Sequence, residues 1–280
     1  MSRLTLRHEA MATFFELTLA DQAERYARQA ATAAWRELDG LESELSRYVE
    51  SSDIARANRL ACGETIVVGD DALECLLLAA EVSRATDRAF DAAYASERAP
   101  DRAAGAPPFT LDPPAHTLTS HAARLHLDLG AIGKGYALDR LAALLREWGV
   151  ASACLNSGGS TVLALAPPPG EAGWTVGLDG GGSARRAVSL AHAALSGSGT
   201  AVKGAHLVDP RSGAAAARPS RAWALAPSAA LADALSTAFF VWTDAEVAAF
   251  CAARDGIGAA VVVPPGELAL HGRLRAIAAL

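Results

Sequence analysis

The stretch Leu127-Asp128-Leu129-Gly130-Ala131-Ile132-Gly133-Lys134-Gly135-Tyr136-Ala137-Leu138-Asp139 constrains this chain more than any other. Leu125, Leu127 and Leu129 alternate with His126 and Asp128, which predicts a strand. Leu138, Leu141, Leu145 and Trp148 then recur at three- and four-residue spacing, which predicts a helix. The joint between them holds Gly130, Gly133, Gly135 and Lys134, one of only two lysines in the chain. Such a turn lets backbone approach a ligand closely, and the free N–H groups of a helix start favour an anion there. Two familiar phosphate loops are excluded. A Walker A loop needs four residues before its Gly-Lys pair and Ser or Thr after it, whereas Ala131 and Ile132 alone intervene and Gly135 follows. The glycine spacing also fails the dinucleotide fingerprint. Taken alone, the glycines serve a ligand or simply the packing of the joint.

The 280 residues suffice for one large domain or two smaller ones. A net charge of −6 without a basic run argues against nucleic acid as a partner. No apolar stretch is long enough to span a membrane, and the N-terminal segment Met1–Glu9 turns polar before a signal core could form. A cytoplasmic location is therefore expected, without membrane insertion. Cys62, Cys75, Cys154 and Cys251 are scattered, with no Cys-x-x-Cys pair, and read as buried small hydrophobes.

Periodicity predicts a strand over 11–19 and a long helix from Asp21 with the stripe Tyr26, Ala30, Ala34, Leu38, Leu41, Leu45. Ser51–Ile54 reads as a cap and short helix reaching Asn58. A strand over 65–68 and a helix over 71–86 follow, the latter buried through Leu73, Leu76, Leu77 and Ala80. Residues 99–114 carry five prolines and read as a loop. Gly149 is a plausible end to the helix after the central joint. Strands are expected over 153–156, 161–165, 174–178, 185–190, 221–226 and 259–263, and helices from Pro227-Ser228 and over 244–253. Ser196-Gly197-Ser198-Gly199-Thr200 reads as a turn of small residues, and Asp209-Pro210-x-x-Gly213 as a turn set by proline and glycine.

Several of these pieces together resemble the ApbE-type FAD:protein FMN transferases. The family motif Leu-Asp-Leu-Gly-Gly-Ile-x-Lys-Gly-Tyr-Ala-x-Asp is matched over 127–139, with Ala131 in place of one glycine. Around it, in family order, stand Met11-Ala12-Thr13, Tyr48, Phe90-Asp91 and Asn156-x-Gly158-Gly159. His206-x-x-Asp209-Pro210-x-x-Gly213 and Ala232-Asp233-Ala234-Leu235-x-Thr237 complete the series, so the likeness runs along nearly the whole chain. Ser160 stands where the family usually has Asp, and the segment from Ser196 to His206 is short and lacks the family's tyrosine.

The resemblance implies a single α+β domain over 1–280, with mixed, largely antiparallel sheets flanked by helices. It also implies two closely packed lobes with a flavin cleft between them. It implies FAD as substrate, magnesium as the metal, and a partner protein whose Ser or Thr hydroxyl accepts FMN as AMP leaves. Asp233 and Thr237 are four apart on one predicted helix, so a carboxylate and a hydroxyl share a face. By resemblance they bind the metal together with the backbone carbonyl of Ala131. Met11, Tyr48, Ala89, Phe90, Asp91, Asp128, Lys134 and His206 are the implied flavin contacts, with Lys134 reaching a phosphate. Tyr48 and Phe90 have the flat faces that stacking needs, though either also suits a core. Asp233 and His206 are the implied catalytic residues, His206 as general base; pairing with Asp209 is the other reading of this histidine. Ser160 and the short 196–206 segment keep two other functions open, an FAD pyrophosphatase and a non-catalytic FAD-binding protein.

Overall fold

A computed structural model describes residues 3–103, 105–179, 185–199, 208–213, 221–263 and 266–277. The chain opens with a hairpin of β1 (Arg3–Ala10) and β2 (Thr13–Ala20), then α1 (Glu24–Leu45) and α2 (Asp53–Ala57). Next come β3 (Thr65–Val67), α3 (Asp70–Ala85), β4 (Glu97–Arg98), β5 (Phe109–Asp112), β6 (Thr117–Ser120) and β7 (Ala122–Arg124). The central α4 (Gly133–Glu147) is followed by β8 (Ala153–Ser157), β9 (Thr161–Ala164), β10 (Trp174–Asp179), β11 (Arg185–Leu190) and β12 (Ala193–Gly199). The last elements are β13 (Arg221–Ala226), α5 (Ala229–Val241), α6 (Asp244–Ala252), β14 (Gly258–Val263), β15 (Glu267–His271) and α7 (Gly272–Ile277).

Among the described residues the main sheet has eight strands in the order β1-β2-β8-β9-β12-β13-β14-β15, every neighbouring pair antiparallel. This is the expected α+β architecture. Strand alternation sorts side chains to the two faces. On β13, Ala222, Ala224 and Ala226 join the larger core with α1, α4 and α5, while Trp223 and Leu225 join a second cluster. That second cluster includes Trp174, Leu178, Val188 and Leu190 of the β10–β11 hairpin. The alanine face of β13 lets α5 lie close on the sheet, which brings α5 side chains within reach of the hydroxyls of Thr161 on β9 and of Ser196 and Ser198 on β12.

Several sequence expectations need correction. Ser196–Gly199 is not a turn but the end of β12: all four residues pair with β13, and Ser196 also pairs with Thr161 of β9. Its small residues serve packing: a Cβ on Gly197 would lie 2.8 Å from the Trp223 ring, while Ser196 and Ser198 face α5. Residues 125–129 form no ladder strand either. They are held by Asn58, whose amide donates to Leu127 O (2.9 Å) and accepts from Leu127 N (2.6 Å). Leu125, Leu127 and Leu129 are nonetheless buried, so the alternation reports burial without pairing. Met11 and Ala12 are not strand but the hairpin turn, both at positive φ.

β1 was hidden by its polar alternation of Arg3, Thr5 and Arg7 with Leu4 and Leu6, as suits an edge strand. β15 and α7 extend the chain beyond the last predicted strand. The inward face of α3 is Ala72, Leu73, Cys75, Leu76, Ala79 and Val82, so Leu77 and Ala80 point to solvent instead. Cys62 is exposed rather than buried. No helix of the described residues is long and apolar enough to cross a membrane.

Candidate active site

α4 and α5 meet near their N-termini, and each supplies the acid that caps the other. Asp139 of α4 accepts from Ala229 N and Ala230 N of α5, both at 2.8 Å. Asp233 of α5 accepts at Oδ2 from Gly135 N of α4 at 3.2 Å. The first N–H groups of a helix lack internal partners, so a carboxylate there satisfies them and meets the positive end of the dipole. Ile132, which immediately precedes α4, offers no side-chain cap of its own. Two positive helix ends thus converge at one point, with Lys134 beside them.

Asp233 is 5% exposed and sits at the centre of this arrangement. Its Oδ1 lies 3.2 Å from Ser196 Oγ and 3.3 Å from Thr161 Oγ1, and those two hydroxyls are 2.8 Å apart. Each hydroxyl carries one proton, so one donates to Asp233 while the other donates to it. Lys134 Nζ stands 3.5 Å from Asp233 Oδ2 and also donates to Gly130 O. Thr237, one turn along α5, has its hydroxyl 3.3 Å from Ser198 Oγ, which in turn lies 2.7 Å from Ser236 Oγ. Ala131 lies in the turn next to Gly130 and is half-buried.

Burial pushes the Asp139 carboxyl up to about 6, against the two N–H groups and Arg146, which pull it down. A raised carboxylate pKa means the folded state favours the neutral acid. Its contribution to stability is full below the ordinary value of 3.8 and is lost as pH rises through about 6. Asn cannot titrate, so the stability difference between wild type and Asp139→Asn should shrink by about 1.4 kcal/mol for each pH step of one between those limits. Urea unfolding of both proteins from about pH 3 to 7, a window that brackets those limits, checks this; a constant difference would contradict it.

Of the other implied flavin contacts, Asp128, Tyr48 and the 89–93 loop are tied to the segment 126–130, and Met11 lies apart at the hairpin tip. Asp128 accepts from Gly130 N at 2.8 Å and lies 3.4 Å from Arg47 Nε, while its own N–H donates to Ala92 O at 2.8 Å. That last bond joins the 89–93 loop to the central motif. In this loop Asp91 accepts from Arg88 (2.8 Å) and from Ala93 N (2.9 Å), and Ala89 is fully buried. Phe90 is 2% exposed within the core, whereas Tyr48 is 75% exposed, with Arg47 over one face of its ring. Met11 donates its N–H to Glu42 Oε1 at 2.8 Å at the tip of the β1–β2 hairpin. His206 lies outside the described residues; the Asp209 turn after it is present, with Gly213 N donating to Asp209 O at 2.8 Å.

The contrast between Tyr48 and Phe90 gives a direct expectation. Phe90→Ala should cost about 3–5 kcal/mol of stability, the usual scale for a buried phenylalanine. Tyr48→Ala should change stability by about 0.5 kcal/mol or less, as surface substitutions do. Chemical denaturation of the two variants separates these roles.

Sequence reasoning missed Arg47, Thr161 and Ser196. Ser196 was concealed by the turn-like composition of its neighbours, and Thr161 and Arg47 carried no periodic or spacing signal of their own. Together the contacts form one continuous line, Tyr48–Arg47–Asp128–Gly130–Lys134–Asp233, from an exposed aromatic to a buried carboxylate.

Solved structures with the same fold are known. The flavin transferase ApbE from Vibrio cholerae superposes with a TM-score of 0.84 at 19% identity, over 99% of each chain. The ApbE protein of Thermotoga maritima gives 0.84 at 24% identity, over 99% of each chain. Apo flavinyl transferase ApbE from Pseudomonas stutzeri gives 0.81 at 22% identity, over 100% of this chain and 98% of that one. No curated protein matches in sequence. The sequence profile of the ApbE family matches residues 11–261, a span that takes in the hairpin tip, the central turn and Asp233. The chain belongs to the ApbE family.

Proposed function

We propose that this protein transfers FMN from FAD to a Ser or Thr hydroxyl of an acceptor protein, releasing AMP. The observation that carries this reading is the continuous line from Tyr48 to Asp233. It offers a stacking face at one end and, at the other, a lysine and two helix starts beside a carboxylate. A flavin joined to a pyrophosphate has this same polarity, flat ring first and anion second. The Vibrio cholerae and Pseudomonas stutzeri relatives, described as flavin and flavinyl transferases, support the same reading.

The donors at the buried end fit a hard cation. Among the described residues no group of three or more His, Cys, Asp or Glu could hold a metal. What Asp233, Thr237 and the Ala131 carbonyl offer is one carboxylate and neutral oxygens. Magnesium is commonly held in this way, keeping waters and taking further oxygens from substrate phosphates. When bound, it supplies charge neutralisation on the pyrophosphate.

The chain's own residues do the rest. Lys134, in the first turn of α4, holds the phosphates, while Tyr48 and Asp128 orient the ring. The acceptor oxygen attacks the phosphorus on the FMN side, its proton passes to a base for which His206 is proposed, and the bond to AMP breaks.

Incubation with FAD, magnesium and candidate acceptor proteins, followed by intact mass measurement, tests the proposal. An FMN-sized increase on an acceptor is expected. Free FMN and AMP would mean a pyrophosphatase instead, and unchanged FAD a binding protein. Lys134 gives a second test: Lys134→Met should weaken FAD binding at least tenfold, roughly the worth of one charge-assisted contact, and leave riboflavin binding unchanged. Equal losses for both ligands, measured by fluorescence titration, would show that Lys134 does not meet the phosphates.

A further inference from the structure

Arg47 lies just beyond the end of α1, next to the exposed ring of Tyr48. Its guanidinium meets three polar partners and one ring at this end of the site. Nη2 donates to the Tyr48 hydroxyl at 2.6 Å, and the guanidinium carbon stands 4.6 Å from the centre of the same ring. Nε lies 3.4 Å from Asp128 Oδ2. Nη1 lies 3.4 Å from His126 Nε2. Arginine has donors only, so Nε2 accepts and the imidazole proton sits on Nδ1. That Nδ1 is buried and has no hydrogen-bond partner among the described residues. His126 is further fixed by Ser96, whose hydroxyl accepts from His126 N at 3.0 Å and faces His126 O at 3.3 Å.

Tyr48 alone would be a poor binding surface. An exposed tyrosine with no neighbour samples several rotamers, and ordering it on binding costs affinity. The planar fork of arginine, by contrast, loses little freedom per hydrogen bond formed. Here one fork engages the hydroxyl and face of Tyr48 and the carboxylate of Asp128 together. Asp128 is held from its other oxygen by Gly130 N, so the whole unit is tied to the central turn.

We propose that Arg47 is a positioning residue that locks Tyr48 and Asp128 into one preformed unit for the flavin ring. This rests on the flavin reading above. It also assigns Arg47 to the ring end, away from the phosphates, and that assignment makes it testable. A residue that orders the ring site acts equally on every ligand with the same ring, whatever is attached to it.

The test is the affinity of Arg47→Met for FAD, FMN and riboflavin, with the melting temperature measured alongside. The long apolar side chain keeps the bulk of the arginine stem and removes the fork. Affinity for all three should fall by the same factor, roughly tenfold for a lost preorganised contact. A loss for FAD and FMN with riboflavin unchanged would make Arg47 a phosphate contact and overturn the proposal. Unchanged affinity for all three would overturn it as well.

A Tyr48→Phe background separates positioning from general support of the fold. With no hydroxyl to hold, Arg47→Met should there weaken binding by a smaller factor than in the wild type. The same factor in both backgrounds would show that Arg47 does not act through Tyr48. Failure of the wild type to bind any of the three flavins would instead remove the flavin reading itself.

Discussion

Asp233→Asn should abolish divalent-cation binding and transfer while leaving the fold in place. The carboxylate is buried and surrounded by groups that an amide can also satisfy. The amide oxygen can accept from Gly135 N, and the amide NH2 can donate to Thr161 and Ser196, whose hydroxyls are free to turn. Lys134 loses its ion pair but keeps its bond to Gly130 O. The expected cost in stability is therefore about 1 kcal/mol, and the melting temperature should move by a few degrees. Chemistry should suffer far more, because the amide carries no negative charge for a hard cation. Metal-derived stabilisation of a transferring phosphoryl group is worth several kcal/mol, which is roughly a thousandfold or more in rate. Single-turnover transfer and magnesium titration on the folded variant check this. Transfer at wild-type rate by Asp233→Asn, or by the wild type in EDTA, would remove the metal assignment.

The parts of this site that could be read from the chain are those where chemistry and local pattern coincide. The 127–139 stretch carried both, and the Asp233/Thr237 pair lay on a helix whose Pro-Ser start was readable; Ser228 does accept from Leu231 N. Gly149 likewise ends α4 at positive φ, with Val150 N bonded back to Leu145 O. What could not be read were features set by distant partners. Ser196-Gly197-Ser198 has the composition of a turn, and only the nearness of α5 on one face and Trp223 on the other makes it a strand. Residues 125–129 alternate as a strand does, yet their backbone is met by the Asn58 side chain and by Ala92 O. Tyr48 and Phe90 looked alike as aromatic candidates. Burial, which depends on the whole fold, separates them. Charge networks such as Arg47 with Asp128 span residues far apart in the chain and leave no local trace.

Gly135 provides the most demanding test of how the two helices are joined. From the motif alone, its glycine could have served a ligand or packing, and the structure gives it a packing role. A Cβ at this position would lie 2.2 Å from Ala229 O, 2.5 Å from Ala229 C and 2.8 Å from Ala230 Cα. These are backbone atoms at the start of α5, and they cannot swing aside as a side-chain tip could. Ala229 and Ala230 are also the residues whose N–H groups Asp139 holds at 2.8 Å, so any retreat of α5 strains that cap. Gly135→Ala should therefore cost about 3 kcal/mol or more, the upper end for overpacking, and lower the melting temperature by roughly 6–12 °C. Because α5 carries Asp233, the displacement should also open the bond from Gly135 N to Asp233 and lower transfer in the fraction that remains folded. Gly40→Ala is the matched control. Gly40 lies inside α1 with nothing within 4 Å of where a Cβ would stand, so alanine there should stabilise by about 0.5–1 kcal/mol through helix propensity alone. Thermal and urea unfolding of the two variants side by side decides the matter. If Gly135→Ala proved as benign as Gly40→Ala, the close approach of α4 and α5 that builds this site would have to be given up.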